Sequence, residues 1–166
     1  MRAIILLILG LLLREAFNYY TVPSAPAKPE TEIAQTDENL PVGGLTITVN
    51  RSQYKIGEPL TMSFSVNQSM HVRIAVINSE GKVQTIFPND FQKDSYCVAG
   101  QEYNIPPAGS DFVINVEGPA GTDKIRGIGS EHEIPENALV FTKDGEFDKA
   151  KMGDYKIRAA VNYRVN

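Results

Sequence analysis

Tyr155-Lys156-Ile157-Arg158-Ala159-Ala160-Val161-Asn162-Tyr163-Arg164-Val165 is the stretch from which the fold is read. Tyr155, Ile157, Ala159, Val161, Tyr163 and Val165 fall on one side of a two-residue period, and Lys156, Arg158, Ala160, Asn162 and Arg164 on the other. Successive strand side chains point to opposite faces, so the run describes a half-buried strand. The same period recurs upstream. Leu45, Ile47 and Val49 alternate with Thr46, Thr48 and Asn50, and Leu60, Met62, Phe64 and Val66 with Thr61, Ser63, Ser65 and Asn67. Val72, Ile74 and Val76 form another set, with His71 and Arg73 facing the other way, and Phe112, Ile114 and Val116 a further one. Antiparallel sheets with one dry and one wet face have this signature.

Turn chemistry separates the runs. Asn50-Arg51-Ser52, Asn67-Gln68-Ser69, Pro106-Pro107-Ala108-Gly109 and Gly118-Pro119-Ala120-Gly121 are loop signals. Ser79-Glu80-Gly81-Lys82 should close a β-hairpin, with Gly81 supplying the positive φ. Helix is scarce. Pro135 ahead of Glu136-Asn137-Ala138-Leu139-Val140 predicts one short helix, and Asp144 could cap a second over Glu146 to Met152, ended by Gly153. The expected fold is therefore all-β: an antiparallel β-sandwich, immunoglobulin-like or open-barrel-like, over residues 44–166, with one or two short helices near the C-terminus.

Ahead of that domain the character changes twice. Met1-Arg2 precedes the apolar run Ala3 to Leu13, which Arg14 and Glu15 stop. That run is too short for a spanning helix but matches the apolar stretch of a secretory signal. Residues 16–22 are apolar or interfacial, with Tyr19 and Tyr20, so an uncleaved signal anchor is the alternative for residues 1–20. Pro23, Pro26, Pro29 and Pro41 then mark residues 21–43 as a Pro-rich, semi-stiff linker. The expectation is an exported chain, periplasmic or at the cell surface, with membrane contact through residues 3–20 if they are retained.

Composition narrows the function. The 166 residues carry 16 Lys+Arg against 20 Asp+Glu, a formal net charge of −4, which offers no electrostatic reason to bind nucleic acid. Apolar content of 42% is that of a folded protein rather than a disordered one. The single cysteine, Cys97, excludes an internal disulfide and a multi-cysteine zinc site, and its apolar setting predicts a buried thiol.

A succession of short blocks begins at Tyr54-Lys55-Ile56-Gly57-Glu58-Pro59-Leu60. It continues through Ser79-Glu80-Gly81-Lys82-Val83-Gln84-Thr85-Ile86-Phe87-Pro88-Asn89, Ala99-Gly100 and Ile105-Pro106. It closes with Phe112-Val113-Ile114-Asn115-Val116-Glu117-Gly118-Pro119 and Gly121-Thr122-Asp123-Lys124-Ile125. Over about residues 54–130 this order resembles the bacterial domain of unknown function 4384 family. The resemblance implies a β-rich, exported or envelope-associated module. Members often accompany kinase-like or protease-like domains and have no agreed activity, so no catalytic residue is carried over. The physical reading of the blocks agrees: Gly57 permits the turn into the strand at Leu60, Phe87 fits a core position, and Pro88 cannot donate to a ladder.

Loops at a sandwich end are where binding usually resides, which makes Pro88, Asn89, Asp90, Phe91 and Tyr96 the candidate interaction loop. An enzyme is not expected. His71 and His132 are the only imidazoles; His71 sits at a polar strand position, and Glu131-His132-Glu133 is too small a pattern to specify a metal. Asp90, Asp94 and Glu102 lack the spacing of a calcium loop. Gly127-Ile128-Gly129 is too short for a phosphate cradle. No cofactor and no metal are expected. Two readings remain. One is a non-catalytic interaction or assembly module that binds an envelope protein or itself through sheet edges and loops. The other is a small-ligand or glycan site at residues 88–96, stacking on Phe91, Tyr96 or Tyr103.

Overall fold

The structure, a computed structural model, describes residues 44–153 and 155–166. The expected signal or anchor segment and the Pro-rich linker lie outside the described residues. Among the described residues no helix is long and apolar enough to cross a membrane.

The described chain is all-β, with a β-sandwich-like arrangement. In chain order the strands are β1 Leu45–Val49, β2 Gln53–Tyr54, β3 Pro59–Leu60, β4 Met62–Val66, β5 Met70–Ile77 and β6 Val83–Phe87. They continue as β7 Tyr96–Cys97, β8 Glu102–Ile105, β9 Ile114–Asn115, β10 Gly121–Ser130 and β11 Ile157–Val165. One sheet runs β1-β4-β8; the larger runs β2-β11-β10-β5-β6, with β7 also on β5; β3 and β9 form a two-stranded ribbon. Every pairing is antiparallel except the short parallel contact of β2 with β11. The inward residues of both sheets, among them Ile47, Phe64, Val72, Ile74, Ile125 and Val161, make one apolar core. Aromatic pairs join different parts of it: Phe64 against Phe87 at 4.8 Å, and Tyr54 edge-on to Tyr163 at 5.2 Å between centroids.

The alternating runs at 45–49, 62–66 and 157–165 become strands as their period requires. The hairpin forms at the expected place: Gly81 has φ +84, and Asn78 donates its amide to the Lys82 carbonyl at 3.0 Å. Gly57 likewise has φ +87 in the turn before β3. The run from Leu60 is interrupted at Thr61, whose carbonyl accepts the Asn50 amide at 3.1 Å. The Phe112–Val116 run pairs only at Ile114–Asn115. Near the C-terminus the first expected helix shrinks to a 3-10 turn, Glu136–Ala138. The second is absent. Gly145 at φ +70 and an isolated bridge between Phe141 and Phe147 turn the chain back on itself where that helix was expected to start.

Sequence patterning misses the longest strand altogether. β10 was obscured by Gly121, Gly127 and Gly129 and by the charges of Asp123, Lys124 and Arg126, yet it lies between β5 and β11 in the larger sheet. Its two faces explain this composition. On the inner face, a Cβ built on Gly127 would sit 2.8 Å from Ile47 Cδ1 and 3.1 Å from Leu45 Cδ2, so glycine lets β1 pack directly over the strand. The outer face is covered by residues 131–153, whose Ile134, Phe147 and Met152 form a second apolar cluster with Ile128 of the strand. That cover is why β5 is buried on both sides from Val72 to Ala75 rather than alternating.

Arg126, only 1% exposed, lies under this cover. Its guanidinium donates to Asn162 Oδ1 at 2.9 Å and to Glu146 Oε1 at 3.0 Å. Lys124 Nζ meets the same Glu146 oxygen at 2.7 Å. Partial burial by itself would raise the Glu146 pKa, but the bonds and charges of Lys124 and Arg126 outweigh it and hold the carboxyl below its ordinary value of 4.5. Asp123 behaves oppositely. Burial raises its pKa against the lowering effect of bonds from the Tyr163 hydroxyl and the Ser79 amide.

Two outcomes follow for this architecture. Gly127→Val should destabilise the domain by about 1–3 kcal/mol through overpacking against Ile47 and Leu45, read as a lower urea midpoint with unchanged slope. Glu146 has a depressed folded-state pKa, so its contribution is complete above about pH 4.5 and is lost as pH falls through the folded value. Glu146→Gln should therefore lower stability at neutral pH and flatten its decline in acid, a comparison made by thermal unfolding across pH; parallel curves for the two proteins would remove Glu146 from that role.

Candidate functional site

Strand β5 positions the candidate loop. β6 pairs with β5 at Ile74–Ile77, and β7 pairs with it at Met70–His71, with a register shift between Ile74 and Ala75. The chain thus leaves one edge of β5 after Phe87 and returns to the same edge at Tyr96, with Val72 and Arg73 opposite the intervening loop. Val72 holds the returning segment by donating its amide to the Ser95 carbonyl at 2.9 Å.

Asn89 organises the loop from within. Its Nδ2 donates to the Ile86 carbonyl at 2.8 Å, and its Oδ1 accepts the amides of Phe91 and Gln92, both at 2.9 Å. Backbone bonds between Asn89 and Gln92 run in both directions, at 3.0 and 3.1 Å. Gln92 Nε2 reaches across to the Asn104 carbonyl at 3.2 Å. An Asx side chain that satisfies amides two and three residues on closes a tight turn without any partner molecule. Pro88, joined to Phe87 by a cis peptide, is half-buried, and Asp90 is exposed.

The loop's aromatics face outward. Phe91 is 60% exposed and stacks on Phe112 with centroids 4.5 Å apart and planes 15° from parallel. Tyr96 is 47% exposed and meets His71 edge-on at 5.2 Å. His71 is half-buried, with Nδ1 2.9 Å from Ser95 Oγ, rather than an open surface histidine. Tyr103 is not free to act as a stacking platform: it stacks on Phe64 at 5.1 Å, and its hydroxyl accepts the Val98 amide at 2.7 Å. Cys97 is fully buried, as its sequence setting predicts. Burial, with the Asp94 charge adding to it, pushes its thiol up to about 12, so it carries no thiolate at neutral pH.

Pro88 has a second side. It lines an open cleft of about 480 Å³ together with Arg73, Lys93, Ser95, Glu133, Ile134, Pro135 and Glu136. Arg73 is 9% exposed and donates from Nη2 to the Ile134 carbonyl at 3.1 Å, across 61 residues of sequence. Sequence reading missed this gathering. Arg73 reads as a polar strand position and Glu133 as part of a weak triplet, and nothing local signals that the segment after β10 brings the second to the same cleft as the first.

A β-sandwich-like domain with a self-braced aromatic loop defines the class: an all-β module. Residues 53–133 match the model of a family described as a domain of unknown function, DUF4384. The chain resembles that family from β2 through β10, which takes in the whole candidate loop. No curated protein matches the chain. The matched stretch leaves out β1 and β11, although β11 is hydrogen-bonded along most of β10.

Removing the Asn89 side chain should loosen the loop without unfolding the domain. Asn89→Ala is expected to cost about 1–2 kcal/mol, and the amides of Phe91 and Gln92 should exchange with solvent faster while those of β5 and β10 do not. Native-state hydrogen exchange reads this directly.

Proposed function

We propose that this domain is a non-catalytic interaction or assembly module of the bacterial cell envelope, exported or tethered through its N-terminal segment. It binds another protein, or a second copy of itself, through sheet edges and the loop at residues 88–96. One observation carries the reading: Phe91 projects into solvent from a turn that Asn89 braces, and Tyr96 from β7, which is paired to β5. Exposed aromatics on a rigid loop contribute apolar contact at little ordering cost, which is how interface anchors are built. Val98, 49% exposed just beyond β7, extends the apolar surface. The edge strand β6 adds a mechanical route, since Val83, Gln84 and Thr85 are exposed and β5 covers only one side of their backbone.

The second reading is a small ligand or glycan held at the same loop. It is favoured by the flat Phe91–Phe112 stack and weakened for sugars by the absence of tryptophan from the chain.

Cross-linking the full chain in its native cells, followed by identification of the adducts, tests the interaction reading. One reproducible adduct with an envelope protein or with a second copy is expected, reduced about ten-fold or more in the Phe91→Ala/Tyr96→Ala double variant. An adduct that survives both substitutions would move binding away from the loop; the lack of any specific adduct would reject the interaction reading.

A further inference from the structure

Two arginines are buried on the outer face of the larger sheet, and their surroundings differ. Arg126 has a carboxylate, Glu146, at 3.0 Å. Arg73 has none within ion-pair distance among the described residues. Its one hydrogen bond among the described residues is to the Ile134 carbonyl, and its Nε, like that of Arg126, is buried without a partner there. A buried cation without a counter-charge is costly, and a guanidinium has donors suited to a carboxylate's two oxygens. Arg73 also lines the cleft of about 480 Å³, within the size range of small-molecule sites.

The other charges in that cleft are of both signs. Lys93 comes from the loop, and Glu133 and Glu136 from the segment after β10; none of the three makes an ion pair among the described residues. We infer that the cleft binds a small zwitterion, with the ligand's carboxylate on Arg73 and Lys93 and its ammonium group toward Glu133 and Glu136. This is the chemistry of a free amino acid or a short peptide. Ser95 is bonded to His71 and borders the same cleft, adding a hydroxyl beside the anion end. Phe91 and Tyr96 are not among the cleft's lining residues, so this site is independent of the aromatic surface proposed for a protein partner.

Isothermal titration and thermal unfolding of the full chain test the inference. The probes are the standard L-amino acids singly, with glycylglycine and trialanine as peptides and acetate, inorganic phosphate and methylammonium as controls that carry charge of one sign only. At least one zwitterion should bind and raise Tm more than any control. Free amino acids against peptides then distinguishes the two sources. Arg73→Gln should weaken binding about ten-fold or more, and Lys93→Gln several-fold. Should Arg73→Gln unfold the domain, Lys93→Gln, on an exposed side chain, carries the comparison. Binding should persist in Phe91→Ala/Tyr96→Ala, which separates this site from the partner surface. Three results would overturn the inference: no response to any zwitterion, acetate or phosphate binding as tightly as the zwitterions, or Glu133→Gln lowering the unliganded Tm as a lost Arg73 counter-ion would.

Discussion

Burial of strand β10 on both faces is the constraint on which the rest of the domain depends. On the inner side, glycine at 127 lets Ile47 and Leu45 of β1 approach the strand. On the outer side, the Arg126 guanidinium lies under the cover of residues 131–153 and is matched by Glu146 from that cover. The two requirements are linked. A strand with a dry second face needs something to cover it, and a charge within that face needs a partner carried by the cover. β10 also supplies the ladder that β5 and β11 share, so its placement fixes the strand from which the candidate loop hangs.

Electrostatics in this fold divides between satisfied and unsatisfied groups. Glu146, with Lys124 and Arg126, forms a closed set joining the cover to the sheet. Asp123, buried at the start of β10, takes the Ser79 amide at 3.0 Å and so fastens the β5–β6 hairpin to its neighbour. Burial and the nearby Asp123 charge raise the Tyr163 pKa, which keeps its hydroxyl protonated as a donor to that carboxylate. Arg73 differs from Arg126 in having no carboxylate within ion-pair distance among the described residues, and it is also the arginine that lines an open cleft.

The loop between β6 and β7 combines a hydrogen-bonded turn with an exposed aromatic ring. Its turn is closed by a side chain of its own, and its two ends are held against one strand. Phe91 leans on Phe112, from the segment just before β9, which gives the exposed ring a fixed orientation. The inner and outer sides of one short segment therefore present different chemistry: apolar rings outward, and Pro88, Lys93 and Ser95 toward a charged cleft.

Much of this was readable from residue order alone. Alternation at Leu45–Val49, Met62–Val66 and Ile157–Val165 set the all-β class, because a two-residue period has one simple structural meaning when one face stays wet. Gly57 and Gly81 marked their turns because their left-handed backbone is costly for other residues, and Phe87 with Pro88 marked where β6 must end. The local signal failed where burial was two-sided. β10 does not alternate between apolar and polar, since its glycines answer to β1 and its arginine to Glu146, both distant in sequence. The helix expected at residues 146–152 gave way because the chain turns back at Gly145 and bridges Phe147 to Phe141, with Phe147 and Met152 of the cover packed against Ile128. Likewise Asn89, Phe91 and Tyr96 could be named in advance as loop residues, but their bracing and orientation could not. The cleft behind them depends on the segment after β10 returning past β5, where the Ile134 carbonyl takes the Arg73 guanidinium, a long-range contact that no local periodicity encodes.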